Sequence, residues 1–197
     1  GGELWLNKAL TQARRVLQDD PGGNEALTLA GLALVGLDRI EPAARYLDEG
    51  LKHNAKDAKV HLGLGWLHRH NGDRHQAVRE LEMTCRLAPE SWESHYLLGS
   101  VLAERADELE ARSRILERSQ YHIVRALELG ASPQLAVELL SRLGASCLKM
   151  GKLPQARKLF LQLLEHQDYE GTARHHLGLI SFQLGKYKNA ILYLRQF

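Results

Sequence analysis

The sequence predicts an all-α fold, a solenoid of stacked helix–turn–helix repeats, and three observations support this prediction. Apolar residues follow the helical spacing i, i+3, i+4, i+7, and strand alternation does not occur. Glycines recur at intervals of 34 residues, at Gly31, Gly65 and Gly99 and again at Gly144 and Gly178. Alanines follow four of these glycines twelve residues later, at Ala43, Ala77, Ala156 and Ala190. One hairpin cannot bury its apolar face alone, so the units must stack.

The period divides the chain into one array over residues 1–197. It opens with a half repeat, 3–23, that matches only a second helix. Two regular repeats follow, and the third is longer by eight residues, which add roughly 12 Å of helix. A regular fourth repeat precedes a shortened fifth. The boundaries of the five repeats are 24–57, 58–91, 92–133, 137–170 and 171–197.

The second repeat illustrates how each hairpin is built. One helix face carries His61, Leu64, Gly65 and His68, and the segment 71–73 then breaks the helix. The second helix follows, with Ala77 and Leu81 on one face. Because two helices approach closely only where side chains are small, we expect Gly65 to meet Ala77 at the crossing.

The extra residues of the third repeat predict a helical extension over 106–116. Nearly all of its residues are good helix formers, and it contains no glycine or proline. We favour a solvated helical tip. The alternative is a docking finger that makes apolar contacts through Leu109, Ile115 and Leu116.

These units resemble the tetratricopeptide repeat over nearly the whole chain. The resemblance rests on the motif residues Leu64, Gly65, Gly72, Ala77, Leu81, Pro89, Leu98, Gly99, Leu143, Gly144, Gly151, Ala156, Phe160, Leu177, Gly178, Gly185, Tyr187 and Ala190. It implies a right-handed superhelix whose first helices line a concave groove. The chain departs from the family where an aromatic residue is frequent early in the first helix, at Leu27, His61, His95, Leu140 and Arg174, and where alanine is usual, at Ser119.

One stripe of each first helix, at positions 2, 5, 9 and 12 of the repeat, is expected to face this groove. The groove residues predicted from this stripe and its surroundings are Leu62, Trp66, Arg69, Tyr96, Ser100, Arg142, His175, Leu179 and Phe182. Some family members bind a C-terminal carboxylate with Lys and Asn at positions 5 and 9. Those positions hold Thr28 and Leu32, Leu62 and Trp66, and Tyr96 and Ser100 here, so we expect no such clamp. Apolar and aromatic residues suit an amphipathic helix or an extended apolar peptide. The alternative is that Trp66 and Phe182 fill gaps in the core.

Other function classes lack support in the sequence. No nucleophile elbow, P-loop or dinucleotide-binding motif occurs, so we expect neither catalysis nor a cofactor. The ten histidines form no HExxH motif, and Cys85 and Cys147 lie far apart within helices, so we predict no metal site and buried free thiols. A net charge of +2 gives no nucleic-acid footprint. Since Asp38 ends the longest near-apolar run, we expect no direct membrane insertion.

The sequence therefore predicts a protein-interaction scaffold that binds a protein or peptide and assembles or localises a complex. The alternative is a structural spacer within a longer protein whose catalytic or membrane part lies elsewhere. Neither end looks capped: Leu4, Leu6, Ala9, Ala13 and Val16 form a stripe without a partner helix, and Leu194 and Phe197 close the other end. We expect further repeats there, or pairing of the ends with each other or with a second copy.

Overall fold

A computed structural model describes residues 2–106, 112–149, 151–164 and 167–195, and these ranges contain helices and turns but no strand. The predicted all-α fold is confirmed. The helices are α1 (Gly2–Asp19), α2 (Asn24–Gly36), α3 (Ile40–His53), α4 (Ala58–His70), α5 (Arg74–Leu87), α6 (Trp92–Ala106), α7 (Arg112–Glu128), α8 (Pro133–Lys149), α9 (Leu153–Leu163), α10 (Glu170–Gln183) and α11 (Tyr187–Arg195), with a short 3₁₀ turn at Gln167–Tyr169. None of the described helices combines the length and the apolar character needed to cross a bilayer.

The chain forms two compact units, Gly1–Val101 and Leu102–Phe197. In the first unit, α2 packs on α1 and α3, and α4 packs on α5. Helix α4 also contacts α2 and α3, so these two hairpins stack on one another. In the second unit, α8 pairs with α9 and α10 with α11, and α9 contacts α10. Each unit therefore buries apolar faces that a single hairpin would expose to water.

In four hairpins, a glycine on the first helix and a large side chain on the second bring the two helices together. A Cβ atom added to Gly65 would lie 2.6 Å from Cγ of Leu81, and one added to Gly144 would lie 2.6 Å from Cζ of Phe160. The same overlap joins Gly31 to Leu47 and Gly178 to Leu194. The partner is always sixteen positions after the glycine. The side chain nearest to Gly65 is that of Leu81, which lies on the same helix as the buried Ala77.

Left-handed backbone marks the turns between paired helices. Gly72, Gly151 and Gly185 have φ angles of 79°, 69° and 70°. Glycine adopts this conformation without the steric cost that a Cβ atom brings. The first hairpin has Asp38 at the corresponding place, with φ of 58°, and aspartate is one of the few other residues that tolerate it.

The half repeat folds as helix α1, and part of its apolar stripe is not covered by another helix. Leu10 and Ala13 are buried against the core of the first unit, whereas Leu4 and Val16 are exposed. Both exposed residues belong to the stripe for which the sequence predicts no partner helix. Helix α1 packs on α2, with Leu10 and Ala13 in the shared core.

The predicted extension of the third repeat falls mostly outside the described residues, since 107–111 are not among them. Helix α7 begins at Arg112. Leu116 is buried and Ile115 is half-buried. Leu116 is therefore not available as a contact of a docking finger, and Leu109 lies outside the described part of the chain.

We predict that Gly65→Ala destabilises the protein by about 1–2 kcal/mol, because the new methyl group overlaps Leu81. In a Leu81→Ala background the overlap disappears, and the same change should become neutral or stabilising, since alanine is a better helix former than glycine. Urea unfolding of the wild type, both single variants and the double variant measures this coupling. Additive effects would show that Leu81 does not limit the approach of the two helices.

Candidate partner-binding surface

Trp66 is the central aromatic residue of the predicted surface in the first unit. Its indole ring is half-buried and packs against the buried apolar residues of the first unit. The outer part of the ring stacks on the imidazole of His70, with centroids 5.5 Å apart and planes at 18°. Trp66 therefore combines the two alternatives that the sequence left open, because one part of the ring fills the core and another is accessible.

The neighbouring predicted residues differ in exposure. Leu62 on the same helix and Tyr96 on α6 are half-buried, so both retain accessible apolar surface. Arg69 is also half-buried and already interacts with another residue of the protein. Ser100 is only 4% exposed, so its hydroxyl offers little surface to a partner.

A cleft lies between α2 and α4 in the first unit, with a volume of about 610 Å³. This volume is within the range typical of ligand pockets, about 300–1,000 Å³. Leu29, Leu32 and Ala58 form its apolar walls, and Leu29 is 44% exposed. The charged side chains that line it are Glu25, Asp57 and Lys59. We refer to this feature as the α2–α4 cleft.

Asp57 holds the two helices that form the cleft. Its Oδ1 atom accepts the backbone N–H of Lys59 at 2.9 Å and so caps α4. Its Oδ2 atom accepts hydrogen bonds from Nδ2 of Asn24 at 2.8 Å and from Oγ1 of Thr28 at 3.3 Å, both on α2. All three donors are neutral groups, and together they fix the carboxylate in position.

In the second unit the predicted residues lie on α8 and α10. Leu179 and Phe182 are 41% and 61% exposed, and the Phe182 ring meets Tyr187 edge to face, with centroids 5.6 Å apart. His175 is half-buried, and its ring meets that of His176 edge to face, with centroids 5.5 Å apart. The side chain of Arg142 lies outside the described part of the chain.

His176, next to His175, points into the core of the second unit. Its ring stacks on Phe160 with centroids 4.4 Å apart, and its buried Nδ1 atom has no hydrogen-bond partner. Burial lowers the pKa of His176 below its ordinary value of 6.5, and the adjacent His175 lowers it further. A neutral imidazole therefore fits this position better than a charged one.

Sequence reasoning found the cleft only in part. The groove stripe contains Glu25, Thr28, Leu32 and Lys59, but not Leu29 or Asp57. Asp57 directly precedes α4, and an aspartate at that place signals a helix cap. No sequence pattern predicts the hydrogen bonds between Asp57 and the preceding hairpin.

A comparison with protein-family models finds matches to one family over most of the chain. Residues 28–81, 64–123 and 141–197 each match a model described as a tetratricopeptide repeat. No curated protein matches the chain in sequence.

Solved structures show the same fold at low sequence identity. The crystal structure of YrrB, described as a tetratricopeptide-repeat protein with an unusual peptide-binding site, superposes with a TM-score of 0.71 at 17% identity, covering 93% of this chain and 89% of YrrB. A MamA structure gives a TM-score of 0.66 at 17% identity, covering 87% and 88%. PilF of Pseudomonas aeruginosa gives 0.66 at 14% identity, covering 97% and 82%.

We predict that acid destabilises the wild-type protein more than a His176→Phe variant. Since the pKa of His176 is lower in the folded state, the unfolded chain binds more protons as the pH falls below about 6.5, and stability is lost. Phenylalanine keeps the stacking on Phe160 and removes the unpaired nitrogen, so stability at pH 7.5 should rise by about 1 kcal/mol.

Urea unfolding at pH 7.5 and pH 5 checks this prediction, with the exposed His75 changed to Phe as the control. Equal losses of stability on acidification in the wild type and the His176→Phe variant would contradict it.

Proposed function

Since the chain belongs to the tetratricopeptide repeat family, we propose that its first unit binds an apolar or amphipathic segment of a partner protein. The binding surface comprises the accessible parts of Leu62, Trp66 and Tyr96, bordered by Arg69; the buried Ser100 is not part of it. By holding this segment, the protein assembles or localises a multiprotein complex.

The general role comes from the family. Tetratricopeptide repeats act in protein interactions, and family members are generally non-catalytic scaffolds that bind proteins or peptides. No helix in the described part of the chain is long and apolar enough to span a membrane. The proposal here is narrower, because it names the surface and the chemistry of the segment.

The observation that carries the proposal is the position of Trp66. A half-buried indole is held rigidly by the core behind it and by His70 beside it, while part of the ring stays accessible. Little conformational entropy is lost when a partner covers such a ring. Tryptophan, tyrosine and arginine dominate the binding energy of interfaces when they lie near the centre, and this surface contains one of each.

The second unit carries its own candidate surface on α10, where Leu179 and Phe182 are exposed beside His175. We propose that these residues, with Arg142 on α8, contact the same partner or another segment of it. Exposed large apolar side chains next to each other favour a binding scaffold over the alternative of a pure spacer.

We predict that Trp66→Ala with Tyr96→Ala lowers affinity for a bound peptide at least tenfold, because each such residue contributes roughly 2 kcal/mol at an interface centre. The probe is an array of short random peptides with blocked termini, from which the tightest binder is synthesised with a fluorescent label. Fluorescence anisotropy then measures its affinity.

Trp5→Ala with Tyr121→Ala is the matched control, because both of these exposed aromatic residues lie outside the proposed surface. Circular dichroism checks that each variant folds, and Tyr96→Ala alone serves if the Trp66 variant does not. Failure of the wild type to bind any peptide, or equal binding by the Trp66/Tyr96 and control variants, would refute the proposal.

A further inference from the structure

The α2–α4 cleft has two properties that together specify a ligand. Its walls are apolar at Leu29, Leu32 and Ala58, and its charged residues are two carboxylates and one ammonium group. Negative charge is therefore in excess by one. An occupant that matches both properties has an apolar stem and a positively charged end.

Among the described residues, no cationic side chain forms an ion pair with the Asp57 carboxylate. Its oxygens accept an amide N–H, a hydroxyl and a backbone N–H, which orient the carboxylate without compensating its charge. A carboxylate offers about four acceptor positions, so Asp57 retains capacity for one further donor. Because the three bonds are already made in the free protein, little reorganisation is needed when a cation arrives.

Glu25 adds a second negative charge at the mouth of the same cleft. It is exposed in the first turn of α2, and within the described residues it forms no ion pair. Lys59 lines the opposite side and is also exposed, and no ion pair joins it to Glu25 or Asp57 in the described structure. Lys59 therefore reduces the negative potential of the cleft without removing it.

We propose that the α2–α4 cleft receives a lysine or arginine side chain of the bound segment. The methylene stem packs on Leu29, Leu32 and Ala58, as long cationic side chains do on apolar surfaces. The charged head lies between Glu25 and Asp57. This proposal rests on the proposed function, and it makes the segment apolar with a cationic residue at one position.

This preference is the opposite of a site built for a carboxylate. A segment with Glu or Asp at this position would place like charges together in a partly desolvated cleft. The cleft therefore selects against acidic residues as well as for basic ones, which provides specificity in both directions.

The test uses the labelled peptide recovered from the random array and a copy in which its lysine or arginine is replaced by norleucine. We expect the norleucine copy to bind the wild type about fivefold more weakly, the range measured for single partly exposed ion pairs. Glu25→Gln should weaken binding of the cationic peptide by a similar factor and leave binding of the norleucine copy unchanged. Lys59→Gln should strengthen binding of the cationic peptide.

Glu41→Gln is the matched control, because Glu41 is an exposed glutamate in the first turn of α3 and lies outside the cleft. A carboxylate near a helix N-terminus stabilises the helix by a few tenths of a kcal/mol. Glu41→Gln measures the effect of losing that stabilisation alone. Equal binding of the two peptides to the wild type, or equal weakening of both by Glu25→Gln, would overturn the cation site. The proposed function would still stand in that case, because it is refuted by different results: no peptide binding by the wild type, or equal binding by the Trp66/Tyr96 and control variants.

Discussion

The close approach of two helices at a glycine is the constraint on which the rest of the structure depends. At Gly31, Gly65, Gly144 and Gly178 the space that a Cβ atom would fill is occupied by a leucine or phenylalanine of the paired helix. The large side chain is thereby completely or partly covered, and the hairpin obtains a fixed geometry. Stacking of such hairpins brings α2 beside α4 and creates the cleft between them.

Much of the architecture could be predicted from the sequence, because a period of 34 residues reports stacking directly. The close contact of Gly65 with Leu81 could not, since the spacing of small residues does not reveal how far one helix slides along the other. Helix α1 carries more apolar residues than it buries, and periodicity does not show that Leu10 is buried while Leu4 is exposed.

The candidate site was predictable at its apolar residues and not at its polar ones. The repeat positions predict that Trp66 and Phe182 are exposed in the groove, and both have accessible surface in the structure. Asp57 accepts a hydrogen bond from Asn24 on α2, in the preceding hairpin. The repeat spacing does not predict this contact. His61 is a similar case. It occupies a position where the family often has an aromatic residue, and it is buried with Nδ1 at 2.7 Å from a carboxylate oxygen of Glu80 and Nε2 at 3.1 Å from the carbonyl oxygen of Ala55.

The central claim is that the first helices of the first unit present the surface that holds a partner segment. A crystal structure of the protein with the peptide recovered from the array tests it most directly. The account predicts that the peptide lies on α2, α4 and the start of α6, with an apolar side chain against Trp66. A peptide bound instead on the second helices α3 and α5 would contradict it.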